Sequence, residues 1–298
     1  MKAVVTGAGG FAGQELVRHL EDCGDEVIGL ERATGGDVTD PEAMRSLIGQ
    51  HRPDALYHLA AVSHIGASWS APAEVFRTNA EGTLNVLRAC TEARVGRVLV
   101  VGSADEYGAV RPEDLPLTEE APLRPLTPYG ASKVAADYLA LQAHLGAGLP
   151  VVRVRSFNHT GPTQPDHFVI PALARRIAAA EREGRKEMPV GSLEPVRDFL
   201  DVADVVRAYR LLVERGEPGE VYNVCSGVGR SIGEVAEQLL RLARHPIELV
   251  PDPDLMRPVE VPRLVGDNRR LRETTGWAPE MPLESTLEAI LHRWRAEG

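Results

Sequence analysis

The sequence predicts an α/β fold in which a doubly wound parallel sheet is joined to a smaller C-terminal α/β lobe. In the first half, short β-branched apolar segments alternate with longer segments of helical periodicity. Such alternation is typical of right-handed βαβ units and of a parallel sheet. After about residue 160 Pro and Gly become denser and the alternation weakens, which indicates a change of architecture.

The predicted elements divide the chain near residue 165. Five strands are expected in the first half, at Lys2–Thr6, Glu26–Leu30, Ala55–Leu59, Arg97–Val101 and Val151–Arg155. Helical patterns follow at Phe11–Cys23, Pro41–Gln50, Ala73–Ala93, Tyr129–Leu145, Phe168–Glu183, Val202–Arg215, Ser231–Leu242 and Leu283–Arg293. We assign residues 1–165 to the first domain and 166–298 mainly to the second lobe. Segments near 198–210 and 220–227 are expected to return to the first domain, with strands in its sheet.

Composition narrows the classes of protein. The chain has 298 residues, a net charge of −10 and a pI of about 5.5, which argue against a general nucleic-acid or membrane-surface binder. Its three cysteines are far apart, so neither a disulfide framework nor a zinc site is indicated, and a cytoplasmic location is expected. Met1 and Lys2 lead straight into a strand-like segment, so we expect neither a signal peptide nor a membrane span.

A glycine loop follows the first predicted strand. Gly7, Gly10 and Gly13 stand in TGAGGFAG, between that strand and a predicted helix that opens at Phe11 and Ala12. Glycine lets backbone amides approach a pyrophosphate, and the helix N-terminus attracts the anion. The loop therefore predicts a dinucleotide site.

The end of the second predicted strand carries residues that suit the adenosine ribose. Glu31 stands where an acid would bond the ribose hydroxyls of NAD, whereas Arg32 beside it would suit the 2′-phosphate of NADP. The choice between the two cofactors stays open. Asp37 and Val38 are expected to contact the adenine.

A tyrosine and a lysine form the expected catalytic pair. Tyr129 and Lys133 lie four residues apart on one helical pattern, so both project from one face. We expect the ammonium group to lower the pKa of the phenol, which would then pass a proton to a carbonyl oxygen. Ser103 follows the fourth predicted strand and is expected to hydrogen-bond the reacting oxygen.

Together these motifs resemble the extended short-chain dehydrogenase/reductase family. Its pattern is matched by TGAGGFAG, HLAA, TNAEGTLNVL, GSADEYG and PYGASK. The resemblance implies a Rossmann-type domain that binds NAD(P)H, a Ser103–Tyr129–Lys133 triad and a nucleotide-sugar substrate. It also places Leu59, Ala60, Ala61 and Asn79 at the cofactor.

The second half resembles the GDP-mannose branch of this family. The matching segments are SFNHTGPTQPDHFVIPALARRIA, RDFLDVADVVRAY, EVYNVCSG and TTGWAPEMPLESTL. They imply that NAD(P)H reduces the C4 keto group of GDP-4-keto-6-deoxy-D-mannose to give GDP-D-rhamnose. The resemblance assigns to substrate binding Ser63, His64, Asp105, Glu106, Asn158, Arg197 and Arg257.

Three alternatives to the reductase remain: a 4,6-dehydratase, a 4-epimerase and a cofactor-sensing regulator. Asp105 stands where the dehydratases of the branch carry a catalytic glutamate, so Asp105 is also a catalytic candidate. The shorter acid, with Ala104 before it, favours a reductase over a 4,6-dehydratase or 4-epimerase. A cofactor-sensing regulator would not need Tyr129 and Lys133.

His159 is a candidate for the sugar pocket or a buried structural residue, and His58 is expected to be structural. The resemblance further implies a homodimer.

Overall fold

The computed structural model describes residues 1–256 and 261–297, which contain twelve strands and eleven α-helices numbered here in chain order. Six parallel strands form the main sheet in the order β2-β1-β3-β4-β5-β9. They are β1 (Lys2–Thr6), β2 (Glu26–Leu30), β3 (Ala55–His58), β4 (Arg97–Val101), β5 (Val151–Ser156) and β9 (Val221–Val224). The predicted α/β class is confirmed.

Helices cover both faces of this sheet because each presents one apolar stripe. One face is covered by α1 (Phe11–Asp22), α8 (Val202–Arg215) and α10 (Arg269–Thr275). The other is covered by α2 (Pro41–His51), α5 (Gly82–Ala93) and α6 (Pro128–Ala147). Of the described helices, none is both long and apolar enough to cross a membrane.

The direction of winding reverses between β1 and β3. In open parallel sheets a crevice forms at such a reversal, beyond the carboxyl ends of the strands. The loops that follow the two strands meet there: Gly7 has a left-handed φ of 72°, and a Cβ atom on it would lie 2.8 Å from the backbone nitrogen of Ala60. The glycine loop is thus packed directly against the segment that follows β3.

The connection after β3 holds two short helices, α3 (Ile65–Ser70) and α4 (Pro72–Phe76). The sequence predicts one helix over 73–93. Instead, a π-helical turn at Arg77–Glu81 separates α4 from α5, and it contains the buried Asn79.

The second lobe has its own small sheets and helices. One sheet holds β6 (Asn158–Thr160), β8 (Val196–Asp201), β10 (Gly229–Ser231) and β12 (Arg263–Leu264), and another pairs β7 (Glu187–Val190) with β11 (Glu248–Pro251). The helices of this lobe are α7 (Val169–Glu183), α9 (Ile232–Arg241) and α11 (Leu283–Ala296).

The two segments expected in the main sheet behave differently. Segment 220–227 supplies β9, which pairs with β5 at the sheet edge. The strand at 198–201 does not join that sheet, because it belongs to β8 and pairs with β6, β10 and β12. The chain after it returns as α8, which packs on α1. The same segment therefore links the small sheet to the main domain.

Candidate active site

A cleft of about 1060 Å³ runs along the carboxyl edge of the main sheet and continues between the two lobes. Its walls bring together the glycine loop, the ends of β2, β3 and β4, the start of α6 and the first residues of the second lobe. Ligand sites of open α/β sheets lie at this edge. The two motifs singled out in the sequence therefore share one site.

The glycine loop has the shape that a pyrophosphate requires. Gly13 faces the carbonyl oxygen of Gly7 so closely that a Cβ atom there would collide with it. α1 begins at Phe11 with Gly10 as its N-cap, and both line the cleft together with Ala12. The helix thus presents unencumbered first-turn N–H groups and a positive dipole end to an anion. A Cβ atom at Gly7 or Gly13 would collide with the backbone of Ala60 or of Gly7, so glycine is needed for this tight loop, and the loop fits a dinucleotide.

The adenosine end of the cleft contains all four residues that the sequence placed there. Glu31 lies against the glycine loop, with its Oε2 2.5 Å from the position of a Cβ atom on Gly9. The Nε of Arg32 lies 3.2 Å from Oδ2 of Asp37, and the Arg32 side chain is 81% exposed. Hydrogen bonds from Thr39 and the charge of Arg32 lower the pKa of Asp37. Val38 lies buried beneath them.

Leu59, Ala60 and Ala61 line the cleft after β3, but Asn79 does not reach its surface. The Asn79 Oδ1 accepts a hydrogen bond from the backbone nitrogen of Val62 at 2.8 Å, and its Nδ2 donates to Oγ of Ser132 at 2.9 Å. The structure therefore does not bring the Asn79 side chain to the cleft surface, where the sequence placed it. Its amide instead fixes the loop after β3 to α6.

His58 is structural, as expected. Its ring nitrogens lie 2.7 Å from Oγ1 of Thr6 and 2.9 Å from Oγ1 of Thr83, which ties β3 to β1 and α5. Burial, with the nearby charge of Lys133, lowers the pKa of His58 to about 3. The imidazole is therefore neutral at physiological pH.

Ser103, Tyr129 and Lys133 converge at the centre of the cleft. Ser103 follows β4, and its side chain shares a hydrogen bond with that of Tyr129. Tyr129 and Lys133 project from the first turns of α6, where Pro128 and the N-cap Thr127 fix the start of the helix. The Nζ of Lys133 donates to the carbonyl oxygen of Val101 at 2.8 Å. Hydroxyl, phenol and ammonium groups are thus held together at one place in the cleft.

The pKa of Tyr129 departs from the expectation. Burial raises it above its ordinary value, and the charge of Asp105 adds to this shift, while the hydrogen bond with Ser103 opposes it. The expected net lowering does not occur in this structure, because burial outweighs the effects that lower the pKa. Tyr129 is consequently a protonated phenol, which is the state that a proton donor needs.

The two acids after Ser103 have different surroundings. Asp105 lines the cleft, and its Oδ2 accepts a hydrogen bond from Oγ of Ser103 at 3.2 Å. Glu106 does not line the cleft: its carboxylate is fully buried, accepts from the backbone nitrogen of Ser103 at 2.7 Å and lies 3.2 Å from Nε of Arg155. The structure therefore does not bring Glu106 to the cleft, where the sequence placed it, because its carboxylate is bonded to Arg155 on β5.

Ser63, His64, Asn158 and Arg197, which the resemblance assigns to substrate binding, all line the cleft. The Arg197 Nη1 donates to the carbonyl oxygens of Val196 and Val261, at 2.9 and 2.7 Å, which fixes the guanidinium at the cleft wall. Arg257 lies outside the described residues.

His159 also faces the cleft, and its ring stacks on Phe11 with centroids 6.0 Å apart. Burial lowers its pKa, although a contact between its Nδ1 and the carbonyl oxygen of Phe157 opposes the shift. His159 thus joins the second lobe to the helix that follows the glycine loop.

Sequence reasoning missed several cleft residues of the second lobe and of α3. His167 meets His64 edge to face, with ring centroids 5.1 Å apart, and Arg176 and Tyr209 line the wall from α7 and α8. Trp69 lines the cleft and is half exposed. The PDHF segment could have drawn attention to His167. For an arginine or tyrosine on a helix, no sequence pattern distinguishes a cleft residue from a surface residue.

Comparisons with known proteins agree with this geometry. Residues 32–290 match the family model described as GDP-mannose 4,6 dehydratase. The chain is 40% identical to GDP-6-deoxy-D-mannose reductase of Pseudomonas aeruginosa, over 98% of this chain and 96% of that protein. A structure of RMD from Pseudomonas aeruginosa complexed with NADPH superimposes with a TM-score of 0.91 at 37% identity, and all of both chains is covered.

A more distant structure binds the other form of the cofactor. The UDP-glucose 4-epimerase of Thermus thermophilus in complex with NAD superimposes with a TM-score of 0.88 at 27% identity, again over all of both chains. Relatives of this chain thus carry either NADPH or NAD in the same fold. The chain belongs to the GDP-mannose 4,6-dehydratase family of NAD(P)-dependent nucleotide-sugar enzymes, within the extended short-chain dehydrogenase/reductases.

Proposed function

We propose that the protein reduces the C4 keto group of GDP-4-keto-6-deoxy-D-mannose to give GDP-D-rhamnose. The observation that carries this proposal is the contact of Ser103 with Tyr129, beside the buried Lys133, in a cleft that also contains the glycine loop. The relative at 40% identity bears the name of this activity.

The residues of the chain divide the chemistry between them. When bound, NAD(P)H supplies the hydride that adds to C4. Tyr129 donates its phenolic proton to the C4 oxygen as negative charge develops there, and Ser103 hydrogen-bonds the same oxygen. Lys133 stabilises the phenolate that remains on Tyr129, because its ammonium projects from the same face of α6. The product gains one hydride and one proton, and Tyr129 is then reprotonated from solvent.

The glycine loop and the adenosine end would hold the cofactor. The pyrophosphate would lie at the N-terminus of α1, over Gly7, Gly10 and Gly13. Glu31, Arg32, Asp37 and Val38 would surround the adenosine. We infer that residues 1–165, apart from β6 in the small sheet, bind the cofactor together with α8 and β9, and that residues 166–298 mainly bind the nucleotide sugar.

The nucleotide sugar would lie across the second lobe. We assign Arg197 to the diphosphate, since guanidinium groups bind phosphate oxygens in a bidentate manner. Ser63, His64 and Asn158 would contact the sugar. Asp105 favours the reductase over the dehydratase, because its carboxylate is bonded to Ser103 instead of being presented alone to the sugar.

The proposal is tested by following the absorbance of the reduced nicotinamide with the 4-keto sugar in excess over enzyme. Stoichiometric loss of NADH or NADPH is expected, and Tyr129→Phe should abolish it. A 4-keto product formed from GDP-mannose without added cofactor would instead establish the 4,6-dehydratase. Comparison of the two cofactors in the same assay decides between NAD and NADP.

We also propose that the enzyme is a cytoplasmic homodimer. Tyr138 and Leu145 are 57% and 75% exposed and lie seven residues apart on α6, so they share one face of that helix. Light scattering after gel filtration should give twice the chain mass, and Tyr138→Glu should shift it toward the monomer. A wild-type monomer would contradict the dimer.

The three free cysteines support the cytoplasmic location, since thiols persist in a reducing compartment.

A further inference from the structure

A cluster of buried charges lies directly beneath the catalytic residues. Arg155 on β5 contacts Glu106 at 3.2 Å and Asp137 at 3.0 Å, and it also donates to the phenol oxygen of Tyr107 at 3.2 Å. Arg153 contacts Asp137 at 3.1 Å. Glu106, Asp137 and Arg155 are at most 5% exposed. Charges so deeply buried are costly unless they are paired, so their arrangement is strongly constrained.

We propose that Glu106 is a positioning residue that fixes Ser103 and places a buried carboxylate near Lys133, at the end of β4. The catalytic consequence of this inference rests on the proposed function. The electrostatic consequence for Lys133 does not, since it concerns the protein alone.

Two hydrogen bonds fix Ser103 to the turn that follows it. Glu106 Oε1 accepts from the backbone nitrogen of Ser103 at 2.7 Å, while Oγ of Ser103 accepts from the backbone nitrogen of Asp105 at 3.2 Å. The two bonds close a capping box around the short turn Ala104–Glu106. The same oxygen packs against the Cα of Gly102, where a Cβ atom would collide with it. Ser103 is therefore fixed at its backbone by a carboxylate that does not reach the cleft.

Arg155 prevents this carboxylate from turning away. Its guanidinium also donates to the carbonyl oxygen of Glu119 at 2.9 Å and to Asp137, so it is anchored on two further sides. Both oxygens of Glu106 accept hydrogen bonds from N–H donors, an arrangement that favours the carboxylate over the acid. Burial and the charge of Asp137 raise the pKa of Glu106, whereas Arg155, the backbone N–H of Ser103 and Lys133 lower it and stabilise the carboxylate.

Glu106 and Lys133 are held at neighbouring points at the end of β4: Glu106 Oε1 accepts from the backbone nitrogen of Ser103 at 2.7 Å, and Nζ of Lys133 donates to the carbonyl oxygen of Val101 at 2.8 Å. Burial lowers the pKa of Lys133 to about 8, and the carboxylate of Glu106 raises it against that effect. His58 faces the same ammonium from β3 but is neutral, and Tyr129 on its own helix is a protonated phenol. Among these groups, Glu106 is thus the anion that holds Lys133 protonated near neutral pH.

The pKa of Lys133 can be measured without substrate. The chain has three lysines, so protein labelled with [ε-¹³C]lysine gives three signals. The pKa of Lys133 is read from a pH titration of its signal, assigned with Lys133→Met. Glu106→Gln should lower that pKa by about one unit, since the neighbouring negative charge is removed. An unchanged Lys133 titration in folded Glu106→Gln would overturn the electrostatic part.

Glu119→Gln is the matched control. Glu119 is also a buried carboxylate of this region, but it accepts from the backbone nitrogen of Asn223 at 2.8 Å and lies apart from Ser103. This variant should leave the Lys133 signal in place. An equal shift in both variants would also overturn the inference, because the effect would then be a general loosening of the core.

Kinetics supply the catalytic readout. In Glu106→Gln we expect kcat to fall about ten- to a hundred-fold with little change in KM, because Ser103 is displaced from the reacting oxygen. The alkaline limb of the kcat–pH profile should move to lower pH together with the Lys133 titration. A uniform loss at all pH values with no shift of the limb would contradict the inference.

A second variant covers the case in which Glu106→Gln does not fold. Glu106→Leu with Arg155→Leu removes both charges, and apolar replacement of a buried ion pair is often tolerated. Asp137 keeps its contact with Arg153. The double variant should fold and show the same fall in kcat and the same shift of Lys133. Full activity in the double variant would overturn the inference, whereas a wild-type enzyme that consumes no NAD(P)H would overturn the proposed function and leave the titration test standing.

Discussion

Protonation of His58 should weaken the fold in mild acid. The imidazole is buried between Thr6 and Thr83, and its pKa of about 3 lies below the ordinary value of 6.5 that it regains on unfolding. Below pH 6.5 the unfolded chain therefore binds a proton that the folded chain does not, so stability falls as the pH falls. The loss between pH 8 and pH 5 is about 2 kcal/mol, from 1.5 pH units at about 1.4 kcal/mol each. The loss continues until the pH approaches 3.

Urea unfolding at pH 8 and pH 5 measures this effect. His58→Gln should be less stable than wild type at pH 8, because it loses the paired hydroxyl contacts. Its loss of unfolding free energy between pH 8 and pH 5 should, however, be smaller than that of wild type by about 2 kcal/mol. His292→Gln, at an exposed position on α11, is the control and should retain the wild-type dependence. An equal fall in stability for wild type and His58→Gln would refute the reasoning.

Three further substitutions test the site. Ser103→Ala should lower kcat about a hundred-fold with a small change in KM, since one donor to the developing oxyanion is lost; steady-state kinetics check this, and an unchanged kcat would contradict the role. Gly13→Ala should weaken NAD(P)H binding and destabilise the fold by about 1–3 kcal/mol, because its Cβ meets the Gly7 carbonyl oxygen; fluorescence titration and thermal unfolding check this, and normal binding would contradict the packing argument. Arg197→Lys should raise KM for the sugar nucleotide about ten-fold and leave kcat nearly unchanged, since lysine cannot form the bidentate contact; an unchanged KM would remove Arg197 from the diphosphate site.

The parts of the fold that depend on local pattern could be predicted from the sequence. The alternation of strands and helices predicts the parallel sheet, and the glycine loop with its flanking strand and helix places Gly7 at the reversal of winding. The spacing of Tyr129 and Lys133 places both on one face of α6. Each of these rests on residues close together in the chain.

The features that the sequence did not predict depend on distant partners. Phe199 and Leu200 do not reveal which sheet the strand at 198–201 joins, and its pairing with β6, β10 and β12 decides its place. Glu106 is an acid close to Ser103 in the chain, so the sequence suggests a substrate contact. In the structure its carboxylate instead accepts a hydrogen bond below the cleft from Arg155, 49 residues away. The pKa of Tyr129 likewise follows from burial, which a four-residue spacing does not report.

Asn79 shows the same limit at the cofactor. Its motif is typical of the family, but its side-chain amide is hydrogen-bonded to Val62 and Ser132, which lie 17 and 53 residues away. A residue can therefore belong to a functional motif and act through its neighbours. The structure separates such residues from those that line the cleft.

The most direct test of the proposed function is a single-turnover experiment with GDP-4-keto-6-deoxy-D-mannose and a reduced cofactor that carries deuterium at both hydrogen positions of nicotinamide C4. Reduction at C4 predicts one deuterium at that carbon of a GDP-6-deoxyhexose for each cofactor oxidised, and no transfer with Tyr129→Phe. Absence of deuterium from the sugar, or its appearance at another carbon, would contradict a reductase that uses Ser103, Tyr129 and Lys133 at C4.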